Sequence, residues 1–369
     1  MKRGEKQNTQ AATGDQSIRA PHGIRELAAE LGISIGTISR AMNGRPNVNP
    51  ATKARVLEAA ERLGYRPQQS GLSLRTGTTR TIGLLWEIPF GRENYGDAFF
   101  LSLFIGVQAQ LFERGYDLTI LFDRPSSGGL AEPPLGRLKD AIQRRQVDAF
   151  IIPWTRVTDA RLAYCAKQAV PFTALGRSRS GGNHPWIDLD FEGAIYKATR
   201  RLLGFGHRHI GLILVSSALM QNQFIIAGYK KALAEDSTAL DDKLIVQCEA
   251  IPQGGIQATD KLLGLRARPS AFIVIDSAVI VGVYVRLAEL GLRCGQDISV
   301  IGGVQDNPIP EFLSPPLTCF GLDTIALGKR LAEVALFALD KDETEAERPV
   351  VAELWPLKLI ARGSDGSIQ

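Results

Sequence analysis

Apolar residues along the chain follow two different periods. Between residues 24 and 63 they recur every three or four positions: Ile24, Leu27, Ala28 and Leu31, then Ile38, Ala41 and Met42, then Val56, Ala59, Ala60 and Leu63. Each set lines one face of an amphipathic helix. Ser34 precedes the second helix as an N-cap, while Asn49, Pro50 and Gly64 supply the cap, first residue and stop of the third. The pattern predicts helix, tight turn, helix, loop, helix. From Thr81 it changes to short apolar runs, TIGLLWEI, DLTILF, DAFIIP, PFTALG, HIGLILV, KLIVQC, AFIVID and ISVIGG, separated by helical stretches of which FFLSLFIGVQAQLFERG is the first. Near-continuous apolar strands alternating with helices predict parallel sheets covered on both faces, an α/β architecture. Residues 81 to 369 are many for one such sheet, and the loop SRSGGNHP, residues 178–185, is the expected boundary between two Rossmann-like lobes. Small ligands bind at the carboxyl ends of parallel strands, so a cleft between the lobes is the expected ligand site.

Charge sharpens this division. Of the 43 Lys and Arg in the 369-residue chain, 13 fall in residues 1–80 against 6 Asp and Glu, leaving 30 against 33 for the rest. A basic helical head joined to a slightly acidic body suits a phosphate-binding module on a sensing domain, although a basic face also keeps a small domain soluble. The first 22 residues are polar and lack the apolar stretch of a secretory signal, so they read as a flexible tail. No run has the length of a membrane span. The expected location is the cytoplasm.

Candidate chemistry is sparse. Gly32-Ile33-Ser34-Ile35-Gly36 satisfies the G-x-S-x-G pattern of a hydrolase elbow, but that elbow needs a strand before its serine, and here a helix precedes it. No G-x-G-x-x-G or G-x-x-x-x-G-K-[ST] string is present, so no nucleotide cofactor is expected. His207 and His209 lie at a helix-to-strand turn without a thiol or carboxylate neighbour, and Cys165, Cys248, Cys294 and Cys319 are isolated from one another. No metal site is expected, and the cysteines read as reduced, buried fillers. The acidic run DKDETEAE, residues 340–347, reads as a solvated loop.

The stretch LAAELGISIGTISRAMNGRPNVNPATKARVLEAAERLGYRP resembles, almost position for position, the head domain of the LacI/GalR family of bacterial transcription regulators. LRTGTTRTIGLL, ATRRLLGFGHRHIGLI, AGYKKAL and EFLSPPLT resemble further strings of that family. The resemblance implies an all-α helix-turn-helix head on a two-lobed, periplasmic-binding-protein-like α/β body. It also implies a homodimer on a palindromic double-stranded DNA operator, whose affinity for DNA changes when a small effector binds the body. The implied organisation is a tail at 1–22, a DNA-binding domain at 23–66, a hinge at 67–80 and a body at 81–369. The body's lobes would take 81–180 with 310–340, and 185–308 with 345–363.

By the family's pattern Ser34 would cap the recognition helix and hold a phosphate. Ile35, Gly36 and Arg40 would face base edges, with Thr37, Ser39 and Asn43 mainly on phosphates. Arg40 has the donors for guanine and Ile35 the methyls for thymine, whereas Gly36 has no side chain to read with. Ile35 also admits a plainer reading as a buried helix residue. Leu74 aligns with the leucine that wedges into the minor groove, while Gly71-Leu72 replaces a common Ala-Arg pair and lowers the hinge's helix propensity.

In the body, Ile225 stands where sugar- and purine-binding relatives carry an arginine, and Asp276-Ser277 and Gln305 replace other common anchors. The candidate effector residues are Trp86, Phe100, Arg177, Phe224, Asp276 and Gln305, as hydroxyl partners, stacking faces and one cation. Asp276 equally suits a helix cap, and Trp86 and Phe100 a core. The Leu-Gly-Arg, HPWIDLD and Gln305 strings resemble the branch that includes α-glucoside regulators of α-proteobacteria. This favours an uncharged sugar effector and a repressor of carbohydrate uptake or catabolism. The competing readings are a solute receptor without a DNA role, a regulator responding to a purine or sugar phosphate, and an enzyme built on Ser34.

Overall fold

Three helices form the first unit because each has one apolar face and none can bury it alone. The computed structural model describes residues 23–42, 48–65, 77–87, 98–123, 135–217, 219–305, 308–339 and 350–368. The chain divides into two units, one ending at Thr78 and the other starting at Thr79. In the first, α1 (Ile24–Leu31), α2 (Ile35–Met42) and α3 (Pro50–Arg62) close over Leu27, Ile38, Ala41, Val56, Ala59 and Ala60, all buried. Gly32, at φ 63°, ends α1 in the left-handed conformation that lets the chain turn at once into α2. Asn49 caps α3 by accepting from the Ala51 N–H at 2.9 Å, and Arg62 of α3 pairs with Glu30 of α1. The tail, Asn43, the acidic run 340–347 and the hinge through Leu74, including Gly71-Leu72, lie outside the described residues.

The second unit carries two six-stranded sheets. The first runs β11-β5-β4-β3-β1-β2, from β1 (Thr81–Glu87), β2 (Asp117–Asp123), β3 (Ala149–Pro153), β4 (Phe172–Leu175), β5 (Trp186–Leu189) and β11 (Ala352–Trp355). The second runs β12-β10-β9-β8-β6-β7, from β6 (Ile210–Val215), β7 (Ile245–Cys248), β8 (Ala271–Val274), β9 (Ser299–Gln305), β10 (Thr318–Gly321) and β12 (Lys358–Ile360). All pairings are parallel except β10 with β12. Burial on both faces explains the unbroken apolar runs of β3 and β8, and in β4 only Thr173 interrupts such a run; every residue of the three strands is buried. Asp148 fixes the chain's entry to β1: its carboxylate accepts from the Thr79 N–H and hydroxyl at 2.7 and 2.9 Å and from the Arg80 N–H at 2.8 Å.

The expected lobe boundaries need correction. Residues 178–185 do not separate the lobes, because β5 pairs with β4 and completes the first sheet. The chain crosses later, at Asp190, whose carboxylate caps the next helix by accepting from the Gly193 N–H at 2.9 Å. Beyond it the two lobes exchange strands: β10 belongs to the second sheet and β11 to the first, against the assignment of 310–340 and 345–363, whereas the helix Thr324–Phe337 packs on the first lobe and β12 joins the second sheet as expected. A four-residue strand carries no periodicity that reveals which neighbour it pairs with.

Helices cover the sheets by crossing at glycines. In the first lobe α4 (Ala98–Glu113) meets α12 (Thr324–Phe337), and a Cβ on Gly106 would fall on the Ile325 carbonyl. In the second, α7 (Phe191–Gly204) meets α8 (Gln221–Glu235) at Gly228, and α9 (Pro252–Leu263) meets α10 (Ser277–Glu289) at Gly255 and Gly282. We expect Gly106→Ala to cost about 1–3 kcal/mol in denaturant unfolding, as overpacking of a closed contact does. Gly136→Ala, where an added Cβ meets nothing within 4 Å, serves as the control and should be neutral. Equal stabilities for the two variants would refute the close crossing.

Candidate functional site

In the first unit, α2 presents its amino terminus and one face outward. The Ser34 hydroxyl oxygen accepts from the Thr37 N–H at 3.1 Å and lies 2.9 Å from the Thr37 hydroxyl, so it is the cap of α2. The helix α1, not a strand, leads into it, which removes the elbow geometry. Ser34, Gly36 and Arg40 are exposed, Thr37 and Ser39 half-buried, and Ile35 is 44% exposed, so Ile35 is not a core residue. Arg40 donates from Nε to the Gly36 carbonyl at 3.0 Å, laying its side chain back along the helix. Free N–H groups at a helix start together with hydroxyls make an anion-binding end, and an exposed Ile and Arg five residues apart supply an apolar and a forked cationic contact.

In the second unit, a cavity of about 540 Å³ opens where the carboxyl ends of the two sheets face each other. The sheet order reverses at β1 and at β6, and the loops following their neighbours β3 and β8 enter the cavity there. Its first-lobe wall includes Phe99, Phe100, Trp154, Thr155, Arg177 and Asp188. Its second-lobe wall includes Ser217, Gln221, Asn222, Ile225, Asp276 and Ser277. Of the expected effector residues, Phe100, Arg177 and Asp276 line the cavity. Trp86 does not: it stands behind, edge-on to Phe100 at 4.0 Å between ring centres and 4.9 Å from Trp154. Phe224 meets the cavity only through Arg177, whose Cζ sits 3.3 Å from its ring centre. The side chain of Gln305 lies outside the described residues.

The polar groups of the cavity are already committed. Arg177 donates from Nε to Asp188 Oδ2 at 2.7 Å, so the cation and this carboxylate neutralise each other. Burial pushes the Asp188 carboxyl up and the Arg177 guanidinium draws it back, with burial the stronger influence. Asp276 Oδ1 accepts from the Ala278 and Val279 N–H groups at 3.0 and 3.1 Å, the geometry of a helix cap. Asn222 donates to the Val215 carbonyl at 2.9 Å, which fixes the turn after β6.

Sequence reasoning missed Trp154, Thr155, Asp188 and Asn222. Trp154 holds φ 53°, a strained backbone for a bulky residue, and its ring lies 4.3 Å from Phe100. A buried cluster holds its loop in place. Arg156 pairs with Glu87 at 2.6 Å, and Arg161 pairs with Asp159 at 2.8 Å while donating to the Pro153 and Trp154 carbonyls. Burial alone would raise the Asp159 carboxyl, but the hydrogen bonds and charge of Arg161, with the Arg156 and Arg161 N–H groups, hold it below its ordinary range.

His207 and the cysteines have structural roles. His207 Nε2 faces the Gly366 carbonyl at 2.9 Å and Nδ1 the Ser270 hydroxyl at 2.8 Å. A carbonyl only accepts, so Nε2 carries the proton and both ring nitrogens are engaged. All four cysteines are free and buried, and burial pushes the Cys165 thiol up to about 12.

Comparison with known proteins covers both units. The family model described as bacterial regulatory proteins, lacI family, matches residues 23–68, and that of a periplasmic binding protein-like domain matches 199–364. The chain is 32% identical to the HTH-type transcriptional regulator AglR of Rhizobium meliloti (strain 1021), over 94% of this chain and 95% of that protein. It is 29% identical to catabolite control protein A of Priestia megaterium, over 80% and 86%. Among solved structures, the lac repressor dimer bound to operator and the anti-inducer ONPF superposes with a TM-score of 0.79 at 20% identity, over 94% of this chain and all of that one. The transcriptional regulator CelR-cellobiose complex superposes at 0.69 and 24%, over 93% and 99%.

Burial lowers the pKa of His207 and of His184 below the ordinary 6.5. The unfolded chain therefore binds more protons once pH falls below about 6.5, and folding stability declines there until the folded imidazoles protonate too. Denaturant midpoints measured from pH 8 to 5 should show this loss, and His207→Gln should remove part of the slope. An unchanged slope in that variant would contradict a neutral, buried His207.

Proposed function

The chain belongs to the lacI family of bacterial regulatory proteins and is a DNA-binding transcription regulator, not an enzyme; from that premise we propose that it is a cytoplasmic homodimer that represses carbohydrate uptake or catabolism genes and is controlled by a neutral sugar held between its lobes. The observation that carries the DNA half is α2: an exposed helix start capped by Ser34, with Ile35 and Arg40 open on its surface. In this reading Thr37, Ser39 and Asn43 hold phosphates, Ile35 and Arg40 touch base edges of each half of a palindrome, and Leu74 enters the minor groove.

The observation that favours a neutral effector is the Arg177–Asp188 pair. Among the described residues lining the cavity Arg177 is the one cation, and it is spent on Asp188, with Asp276 adding a further carboxylate. An anionic ligand would bring an uncompensated charge into this partly dry site, whereas sugar hydroxyls pair with carboxylates, Asn222 and Gln221, and a sugar face stacks on Phe100 or Trp154. A purine or sugar phosphate is correspondingly disfavoured. Exposed apolar side chains on α4 (Leu101, Ile105, Phe112), on α10 (Val285) and on α11 (Ile309–Phe312; Phe312) offer both lobes a surface for a second copy. A solute receptor without a DNA role is not favoured, because the likeness to AglR extends through nearly the whole chain.

Thermal unfolding in the presence of mono- and disaccharides, sugar phosphates, nucleosides and purines tests the effector, since a ligand of the native state raises its stability. We expect stabilisation by a neutral sugar; stabilisation confined to anions or purines would reject that reading. For DNA, sites selected from random-sequence duplexes should bind with an affinity that falls steeply with salt. Arg40→Ala should cost about 1–3 kcal/mol on the selected site and less on random DNA, and equal losses on both would remove Arg40 from base recognition.

A further inference from the structure

Among the described residues, two contacts between the lobes lie beside the cavity. After β3, Arg156 forms an isolated antiparallel bridge with Leu219, and the Met220 N–H donates to the Thr155 carbonyl at 3.3 Å. The buried charges of Glu87, Arg156, Asp159 and Arg161 fix the loop that makes this bridge. The second contact is a side chain. Arg177 follows β4 in the first lobe, and its guanidinium lies over the ring of Phe224 on α8 of the second.

That guanidinium has three surfaces with three different neighbours. Its Nε edge is fixed by Asp188 within the first lobe. Its face rests on a second-lobe ring, the cation–π arrangement that suits a planar, weakly hydrated cation. Its two Nη groups donate no hydrogen bond among the described residues, and Arg177 borders the cavity. We propose that Arg177 is the positioning residue through which the contents of the cavity set the separation of the lobes, because one rigid plane is shared between the first lobe, the Phe224 ring and any ligand oxygen that accepts from Nη. An acceptor oxygen that holds the plane flat on Phe224 tightens the lobes, and one that draws it off releases them. The identity of the ligand rests on the function proposed above; the tie between the lobes does not.

Spin labels on Lys139→Cys in the first lobe and Lys261→Cys in the second, in the full-length protein whose own four cysteines are buried, report lobe separation directly. Without added sugar, Phe224→Leu and Arg177→Met are expected to broaden the distance distribution towards longer values, and Phe224→Tyr to keep the parent distribution. The unfolding temperature of Phe224→Leu should stay close to the parent's, which separates positioning from general destabilisation. A parent-like distribution in Phe224→Leu overturns the proposal. With maltose and sucrose as probes, a sugar that stabilises the parent should narrow its distribution and leave that of Phe224→Leu broad. Equal narrowing in both also overturns the proposal, whereas failure of both sugars to bind bears only on the neutral-sugar reading, and the sugar-free distances still decide the tie.

Discussion

The second unit depends on one constraint, the parallel pairing of strands in two sheets of the same order. Parallel strands need crossovers, crossovers place helices on both faces, and both faces must then be apolar. Because each sheet grows in both directions from its first strand, β1 in one and β6 in the other, the loops beside those strands part and leave a crevice at their carboxyl ends. Two such crevices facing each other make the cavity. The glycine crossings belong to the same requirement, since Gly106, Gly228, Gly255 and Gly282 let paired helices lie close together over sheets of limited width.

Within that frame, charge is admitted only where it is paired. Glu87, Arg156, Asp159 and Arg161 are all buried and linked in a chain of pairs, Arg156–Glu87, Glu87–Arg161 and Arg161–Asp159, so removing one unbalances charge in a region away from water. Their arrangement explains how Trp154 keeps a left-handed backbone: Arg161 grips the carbonyls on either side of the kink. The same rule shapes the cavity. Arg177 is paired with Asp188, and Asp276 gives one oxygen to its own helix, which is why the function proposed above rests on hydrogen bonds and aromatic faces and not on a free cation.

How much of this was legible in the sequence follows from the physics of each element. The three head helices were legible because caps and apolar spacing are local, and Ser34, Asn49 and Gly64 stand where a sequence reading places them. The strands of near-continuous apolar residues were legible too. The short strands β5, β10, β11 and β12 were not, since WIDL, TCFG, AELW and KLI lack the near-continuous apolar run that marks the others, and the exchange of strands between the lobes followed from missing them. Phe100, Arg177 and Asp276, chosen by residue type and position, line the cavity. Trp154 was hidden because its placement depends on a strained backbone and a buried ionic cluster assembled from Glu87 to Arg161. Trp86 was misplaced for the complementary reason: a strand-end aromatic faces a cleft unless a neighbouring ring fills that space, and here Phe100 and Trp154 do.

A regulator of this kind needs its ligand to distinguish two arrangements of the protein, because a ligand with equal affinity for both shifts nothing. Groups confined to one lobe cannot supply that difference by themselves. Asp276 and Asn222 stay with the second lobe whatever the first does, and Asp188 stays with the first. The difference must come from groups whose neighbours change when the lobes move, and the described cavity offers two kinds: the backbone bridge at Thr155–Arg156 and the Arg177 plane on Phe224. The bridge is made by main chain, is indifferent to ligand chemistry and is held by buried charges, so it favours one arrangement without selecting a ligand. Arg177 is the group that both touches the second lobe and offers donors to the cavity, which makes the choice of ligand and the placement of the lobes one equilibrium.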